Sequence, residues 1–398
     1  MEAYVFDWLN LLGRWLHVIA GVAWIGASFY FVWLDNHLLP PANPRDDEEG
    51  VGGEVWSVHG GGFYHARKFK VAPPQMPAVL HWFKWEAYTT WLSGIFLLAL
   101  IYWYGAEVYL IDRDIAPISQ LDAVVLGAGT IVVGWFVYDL LCRSPLGRHD
   151  GLLAGALFLG LAVLAWWLCE TFSGRGAYMH FGALLGTIMA ANVFFVIIPG
   201  QKAMVAACEA GRIPDPAPGI KAKQRSVHNT YFTLPVLFIM MSHHFAMTYA
   251  HEFNWLILIG ISLAGALIRA WFVARHKGAA SPLPVIVGGL LLLLIAFAIA
   301  PPPAQKEIAQ STVSFDDVRA IVQERCANCH ASRPQYAAIN AAPAGILLET
   351  DEQIRKEATR IYQQVVVLRG MPVGNLTEMT DAERALIGEW YSARATDE

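Results

Sequence analysis

Charged side chains are scarce in this chain. They make up 15% of its 398 residues, whereas 56% of the residues are apolar. So few charges cannot cover a core of that size in water, which excludes an ordinary soluble globular protein. The net charge is -5 and no basic stripe is present, so a nucleic-acid partner is excluded because nothing would neutralise its phosphates. Only five cysteines occur, and Cys142, Cys169 and Cys208 are isolated, so no disulfide framework is indicated.

Long apolar runs fill most of the chain. A helix needs about 20 residues to cross the ~30 Å hydrocarbon layer of a membrane. Runs of about that length occur eight times, and tryptophans cluster near their ends, as they do at membrane interfaces. The first run lacks the basic segment and cleavage site of a signal peptide, so we expect it to span the membrane. The sequence therefore predicts an all-α fold in which residues 1–300 form an eight-helix transmembrane bundle. The predicted spans are 8–34, 83–103, 121–141, 151–169, 177–198, 228–249, 253–274 and 283–300.

Positive charges are distributed unevenly between the loops of this predicted bundle. If the amino terminus lies outside, the outward loops carry only Arg113 and Arg175. The inward loops then carry Arg45, Arg67, Lys68, Lys70, Lys84, Arg143, Arg148, Lys202, Arg212, Lys221, Lys223, Arg225, Arg275 and Lys277. Cytoplasmic loops collect such charges in membrane proteins. Both termini are therefore expected on the outer face of the membrane.

The carboxyl-terminal part of the chain contains the motif Cys326-Ala327-Asn328-Cys329-His330. In C-x-x-C-H, each thiol can form a thioether with a haem vinyl group, and the histidine supplies an axial ligand to the iron. A redox dithiol would need a βαβ context and a zinc site would need a second ligand pair, and neither is found in residues 311–398. One covalent haem c is therefore predicted. The cytochrome c maturation machinery attaches such haems outside the bacterial cytoplasmic membrane, so the motif predicts a periplasmic domain, in agreement with the charge distribution.

The haem motif lies in a predicted small helical domain, residues 313–398. A proline-rich linker, residues 301–312, is expected to hold this domain off the bundle. Helix-capping patterns begin at Ser314, Thr350 and Thr380. The last helix of the domain presents an apolar face that is expected to pack on the first helix of the domain. With this arrangement the domain resembles a small cytochrome c. The members of that face are Leu386, Ile387 and Trp390.

A domain of this kind needs a second axial ligand for the iron, and two methionines compete for the role. Met371 is followed by Pro372, which favours extended geometry after a helix. Met379 lies beside the cap of the last helix, where its side chain is expected to pack beneath that helix. Met371 is therefore predicted to be the ligand opposite His330, and a Met/His pair raises the reduction potential, as suits an electron acceptor.

Four histidines of the predicted bundle, His17, His180, His243 and His244, lie in the outer half of the membrane. Ionisable residues are costly there and are therefore functional candidates. Small residues one turn from His17 and His180 would clear a flat space beside each imidazole. One interpretation is a non-covalent haem b held by His17, His180 or His244. The other is that the histidines form hydrogen bonds across the bundle and the glycines permit close helix packing.

The inward loop 35–81 is long for a compact bundle, and long loops are often functional. It contains His59-Gly60-Gly61-Gly62-Phe63-Tyr64-His65-Ala66-Arg67-Lys68. The glycines let backbone amides approach a ligand, and aromatic and cationic side chains lie beside them. This combination suits a flat, anionic heteroaromatic molecule. The alternative is a loop beside lipid headgroups whose cations only follow the inward charge bias.

Several motifs together resemble those of the membrane-bound bacterial urate hydroxylase family. They are Arg14-Trp15-Leu16-His17, His59-Gly60-Gly61-Gly62-Phe63-Tyr64, Leu80-His81-Trp82-Phe83-Lys84-Trp85-Glu86, Thr233-Leu234-Pro235 and the terminal C-x-x-C-H. The resemblance covers essentially the whole chain and its domain order. It implies oxidation of urate to 5-hydroxyisourate in purine catabolism, with haem c and not oxygen taking the electrons. A soluble cytochrome c or a terminal oxidase would accept them next.

The resemblance and the residues together suggest a hypothesis for the substrate site. Urate would bind at the inner face near His59, His65 and Arg67, and His65, His81 or Glu86 would act as the base. Haem c lies across roughly 30 Å of bilayer from that face, so a haem b would be needed as a relay. If urate binds from the outer side instead, no relay is needed and the four outer histidines become site candidates.

Two other classes of function remain open from the sequence. One is a respiratory membrane cytochrome subunit that transfers electrons without a small-molecule substrate of its own. The other is a transporter that carries a cytochrome sensor, although its internal repeats are not found in the sequence. Reduction of the haem by urate alone would separate an enzyme from both.

Overall fold

The computed structural model describes residues 2–275, 281–300, 313–336, 339 and 341–394. The chain is mainly helical, as predicted. The predicted linker, residues 301–312, lies outside the described residues. The helices before it are α1 (Glu2–His37), α2 (Pro44–Glu48), α3 (Trp85–Leu98), α4 (Ala106–Tyr109), α5 (Gln120–Arg143), α6 (Asp150–Cys169), α7 (Gly174–Ala191), α8 (Ile198–Glu209), α9 (Ala217–Ser242), α10 (Ala246–Tyr249), α11 (Asn254–Ala274) and α12 (Leu283–Ala298).

Several of these helices are long and apolar enough to cross a membrane. Within the described residues, five meet both conditions: Tyr4–His37, Gln120–Arg143, Asp150–Cys169, Gly174–Glu209 and Asn254–Ala274. A π-helical segment, Asn192–Ile197, joins α7 to α8, and another, Ala99–Trp103, extends α3. Helices α3, α9 and α12 lie at the other three predicted spans, but α12 is short and α9 begins with polar residues. The crossing of the membrane by all eight helices stays a prediction.

Helix α7 lies at the centre of the bundle. Tyr178, Phe181 and Leu185 on this helix are almost fully buried and pack against α5, α6 and α9. The outward faces of the surrounding helices remain apolar, for example at Trp15 and Val22 of α1. Exposed apolar surface of this extent is the surface that lipid chains cover in a membrane protein. Lipid is therefore the surrounding medium that these faces fit.

A β-hairpin interrupts the helical architecture, and the all-α prediction missed it. Strand β1 (Val51–His59) pairs antiparallel with β2 (Gly62–Phe69). Gly60 and Gly61 connect them with φ angles of 55° and 79°. Left-handed backbone at both central positions is what a tight hairpin turn requires, and glycine adopts it without steric cost. The glycine run predicted to approach a ligand is therefore partly a turn.

The carboxyl-terminal domain is a separate small helical unit. Its helices are α13 (Phe315–Arg325), α14 (Asp351–Lys356), α15 (Ala358–Ile361) and α16 (Asp381–Arg394). The predicted caps are present at Ser314 and Thr350, whose side chains form capping boxes with Asp317 and Gln353. Ile387 and Trp390 of α16 join Val318 and Val322 of α13 in one apolar core. Leu386, also predicted on that face, is exposed.

Candidate functional site

The haem motif follows directly on α13. The backbone N–H of Cys326 donates to Val322 O at 2.9 Å, and the N–H of Cys329 donates to Cys326 O at 3.1 Å, so the chain turns tightly between the two cysteines. Both thiols are free, and burial raises the pKa of Cys326 to about 12. His330 Nδ1 donates to Ile346 O at 3.0 Å, which leaves Nε2 as the nitrogen available to a metal. These groups are the donor set that haem c requires, and they fit it.

The two methionines lie in different surroundings. Met379 is 3% exposed within the apolar core of the carboxyl-terminal domain. Met371 is half-buried at the edge of that core, and its carbonyl accepts a hydrogen bond from Arg384 at 2.7 Å. The arrangement agrees with the expected packing of Met379. The role of Met371 as axial ligand stays a prediction.

The carboxyl-terminal domain rests on the loop that follows α4. Asn375 donates to Asp114, and Arg113 pairs with Glu378 at 3.7 Å. Gly374 approaches the Ile111 carbonyl so closely that a Cβ would lie 2.5 Å from its oxygen. Arg325, directly before the motif, donates to Thr377 O at 2.7 Å and so joins the motif to the segment that contacts the bundle. The haem motif therefore lies next to the end of the bundle where α4 is found and α7 starts.

A cluster of cationic and aromatic side chains lies at this end of the bundle. Arg175, in the first turn of α7, donates to the Tyr102 hydroxyl at 3.2 Å and lies 5.1 Å from the centroid of the Tyr109 ring. Arg14 of α1 is exposed, and its Nε donates to Asn10 Oδ1 at 2.7 Å. The sequence alone predicts only an outward loop charge at Arg175. Its position between two tyrosine rings is a long-range feature that the sequence does not display.

The histidines predicted to bind haem b have protein partners. His180 is fully buried: its Nδ1 donates to Gly176 O at 2.8 Å, and its Nε2 accepts from the Trp103 indole at 3.1 Å. His17 Nδ1 lies 3.0 Å from both Thr90 O and Ser93 Oγ. His244 stacks against His243 with ring centroids 3.8 Å apart. Both ring nitrogens of His180 are engaged, so His180 has no nitrogen left for a haem b iron in this arrangement. A haem b held by His17 or His244 stays a prediction.

The small residues beside these histidines also have a different use. A Cβ at Gly13 would lie 2.9 Å from Phe96, and a Cβ at Gly176 would lie 2.8 Å from Leu110, so those spaces are filled by neighbouring segments. The glycines that face the imidazoles belong to other helices: Gly94 faces His17 and Gly127 faces His180. These contacts favour the interpretation of close helix packing around hydrogen-bonded histidines.

Replacing Gly127 with alanine tests this packing. The new Cβ would lie 2.6 Å from His180 Nε2, so we expect the protein to lose about 1–3 kcal/mol of stability. Gly129 on the same helix has no atom within 4 Å of an added Cβ, so Gly129→Ala is a matched control that should leave stability unchanged or slightly raise it. Thermal unfolding in detergent micelles measures both. Equal melting temperatures for the two variants would contradict the described contact.

The β-hairpin places two of the predicted catalytic residues next to carboxylates. His65 Nε2 lies 2.7 Å from Glu54 Oε2, and Arg67 pairs with Asp46 of α2 at 3.0 Å. The Trp56 ring stacks on His65 at 4.2 Å. The Ala42 N–H and His65 hold the pKa of Glu54 below its ordinary value. Arg67 thus links the hairpin to α2, and His65 links the two strands of the hairpin. A catalytic role of either residue stays a prediction.

The other three predicted catalytic residues lie apart from this group. His59 is exposed at the hairpin turn, and His81 meets Phe83 edge to face at 4.5 Å. Glu86, in the first turn of α3, has a buried Oε2 with no hydrogen-bond partner among the described residues. In the part of the chain that the structure describes, no hydrogen bond or ion pair joins His59, His81 or Glu86 to His65 or Arg67. The structure therefore brings together two of the five residues and not the whole set.

A buried polar network between α5, α9 and the π-helical segment after α7 is not apparent from the sequence. Arg225 of α9 is 4% exposed and pairs with Asp139 of α5 at 2.8 Å. The Tyr138 hydroxyl lies 2.8 Å from His228 Nδ1 and accepts from Asn192 at 2.9 Å. Arg225 and His228 line a cleft of about 1600 Å³ between the helices. The sequence predicts a loop position for Arg225, and this prediction is wrong because Arg225 lies on α9. The sequence signal that could have indicated the network is Asn192, a polar residue inside a long apolar run.

These features define the class of the protein. It is a helical protein with several helices long and apolar enough to span a membrane, and polar clusters lie at both ends of its bundle. The family model described as urate oxidase N-terminal matches residues 3–300, far more than half of the chain. The chain therefore belongs to this family of urate-related oxidoreductases, and its carboxyl-terminal domain lies outside the matched region. No curated protein and no solved structure matches the chain.

Proposed function

We propose that this protein oxidises urate to 5-hydroxyisourate and that the electrons pass to a single haem c held by Cys326, Cys329 and His330. From there they would go to a soluble cytochrome c or a terminal oxidase. The observation that carries the proposal is that one chain joins the urate oxidase family region to a C-x-x-C-H motif whose donors fit haem c. Haem c, with a Met/His ligand pair, supplies a one-electron acceptor of raised potential.

The balance of the reaction defines what the chain must provide. The urate monoanion and one water molecule give the 5-hydroxyisourate monoanion, two protons and two electrons, so a C–O bond forms at C5 and no oxygen molecule is consumed. The chain must therefore bind a planar anion, admit water and accept two protons. Arginine suits the first task because its guanidinium presents a rigid fork of donors to carbonyl oxygens. Histidine or a carboxylate suits the last.

The setting proposed for this reaction is the bacterial inner membrane. Eight helices would cross it with both termini in the periplasm, because the basic residues gather in the loops that this topology places inside. Membrane lipid would cover the exposed apolar faces of α1, α5 and α12. The carboxyl-terminal domain would then be periplasmic, where the cytochrome c maturation machinery attaches haem.

An anaerobic titration of the purified protein with urate tests the proposal. We expect the haem c absorbance bands to become reduced, with about one 5-hydroxyisourate formed for every two haems, because each product releases two electrons and each haem takes one. Xanthine, which lacks one ring oxygen, serves as the control ligand. Haem that stays oxidised with urate but is reduced by a respiratory donor protein would contradict the proposal and favour the electron-transfer subunit without a substrate.

A further inference from the structure

The cleft between α6, α9 and α11 is larger than most small-molecule sites. Its volume is about 1600 Å³, whereas such sites usually measure about 300–1000 Å³. On α9 its lining runs from Lys221 to Pro235, which is about 21 Å along the helix axis at about 1.5 Å per residue. A compact heterocycle would leave most of this space empty, whereas a long molecule would fill it.

Most of the cleft is lined by apolar side chains. On α6 the lining includes Ala154, Phe158 and Leu161, whose spacing of four and three residues places them on one face of the helix. Phe232 of α9 and Leu263 of α11 belong to the facing walls. Phe158 is also exposed, so the cleft opens on the apolar outer surface of the bundle. This apolar part of the cleft therefore suits a hydrocarbon chain.

Two cations without carboxylate partners lie together at one end of the cleft. Gln224 of α9 donates to Gly147 O at 2.7 Å, which joins the start of α9 to the turn before α6. Arg148 follows Gly147, and Lys221 lies one turn before Gln224. Both border the cleft, and within the residues that the structure describes neither forms an ion pair or a side-chain hydrogen bond. The other basic lining residues are paired; they are Arg143, Lys223 and Arg225.

The first turn of α6 adds hydrogen-bond donors at the same end. This helix begins at Asp150, and its cap residue His149 gives the first turn no side-chain hydrogen bond in the described structure. The first N–H groups of a helix have no partner within the helix, and they bind phosphate readily. Gly151 borders the cleft, and no described atom lies within 4 Å of a Cβ added there. A ligand can therefore approach this backbone closely.

Two carboxylates also border this end of the cleft. Asp150 is exposed in the first turn of α6, where it complements the helix dipole. Asp215 accepts a hydrogen bond from the Ala217 N–H at 2.9 Å at the start of α9. Each carboxylate thus has a role at a helix start. Asp150 would nevertheless repel an anion bound beside Arg148, and this repulsion provides a test.

We propose that the cleft binds one phospholipid molecule. Its phosphate lies between Arg148, Lys221 and the first turn of α6, and one acyl chain fills the apolar part of the cleft. Basic pockets between membrane helices bind lipid headgroups in this way. An acyl chain spans half of the hydrocarbon layer, or about 15 Å, so a cleft of about 21 Å also has room for the headgroup. The lipid joins α6 to α9 and stabilises the bundle, whether or not the protein oxidises urate.

Thermal unfolding of the full-length, haem-loaded protein in detergent micelles tests the site, with dioleoylphosphatidylglycerol as the probe. Added lipid should raise the melting temperature by mass action. In Arg148→Gln/Lys221→Gln, the lipid concentration for half of this rise should increase about tenfold or more, because two charge-assisted hydrogen bonds are lost. Lys202→Gln/Arg212→Gln is the matched control, since it removes one exposed lysine and one exposed arginine that do not belong to the described lining. Its half-maximal concentration should equal that of the wild type.

Two single variants test the headgroup and the chain separately. Asp150→Asn should lower the half-maximal lipid concentration about threefold, because it removes the carboxylate that repels the phosphate. Ala154→Phe should raise that concentration without changing any charge, because the new ring occupies the chain groove. Gly160→Phe is its control: an added Cβ there has open space in the described structure, and Gly160 is not among the described lining residues.

Other occupants would give different results. Inorganic phosphate and dioleoylglycerol, which lacks the phosphate, should each leave the melting temperature unchanged. Stabilisation by phosphate alone would indicate a site for a free anion, and equal stabilisation by dioleoylglycerol would indicate a site for apolar chains only; either result would overturn the proposal. An equal loss of lipid affinity in the two double variants would also overturn it, because it would show a general attraction of anionic lipid to basic surface.

Discussion

Replacing both Cys326 and Cys329 with serine is expected to abolish urate turnover. Without the two thioethers haem c is no longer attached, and the electrons from urate lose their acceptor. The substitutions leave the cap of α13 unchanged, since Ser314 and Asp317 lie at the other end of that helix. Haem staining of the denatured protein measures attachment, and urate consumption with oxidised cytochrome c measures turnover.

Cys208→Ser provides the matched control for this experiment. Cys208 is a free, half-buried cysteine on α8, far along the chain from the haem motif, so its removal should change neither attachment nor turnover. Turnover at the wild-type rate in the haem-free double variant would show that the electrons leave by another route. That result would mean that the membrane helices oxidise urate without the haem domain.

Asp139→Ala is expected to cost the most stability of any single change in the bundle. It leaves Arg225 buried with only Asn192 and the Tyr138 ring beside it. An uncompensated buried charge of this kind costs about 3–5 kcal/mol. Arg225→Ala should cost less, because Asp139 keeps its second ion pair with Arg143 at 2.6 Å. Chemical unfolding monitored by tryptophan fluorescence in lipid or detergent measures the difference.

The double variant Asp139→Leu/Arg225→Met tests the cause of this loss. It removes both charges and keeps similar volumes, so it should recover most of the stability that Asp139→Ala loses. A double variant that is as unstable as Asp139→Ala would show that the rest of the hydrogen-bond network, and not the unpaired charge, is responsible. The order of the two single variants provides a second check, since the reverse order would contradict the role of Arg143.

The helices could be predicted from the sequence because apolar runs and caps are local signals. The runs mark the positions of the long helices, and Ser314 and Thr350 mark helix starts that the structure confirms. The hairpin was missed because its strands are rich in glycine and charge and lie between long helical runs. Its strands depend on pairing with each other and on contacts with α2, which no window of sequence contains.

The sites were harder to predict because their partners are distant in sequence. The flat space expected beside His17 and His180 is inferred from glycines on the same helices, whereas the glycines that touch the imidazoles are Gly94 and Gly127 on neighbouring helices. Arg225 and Asp139 are 86 residues apart, so the chain gives no local sign that they pair. Arg175 likewise looks like an ordinary loop charge until the two tyrosines are placed around it.

The carboxyl-terminal domain is seated on the loop that follows α4, and under the proposed function this placement would determine how electrons leave the protein. Asn375, Glu378 and Gly374 contact the bundle, so a haem in this domain would stay at one position and would not swing between an electron donor and an acceptor. A soluble cytochrome c would then have to bind to this domain, accept one electron and dissociate before the next transfer. Two such visits would be needed to clear the enzyme for its next purine.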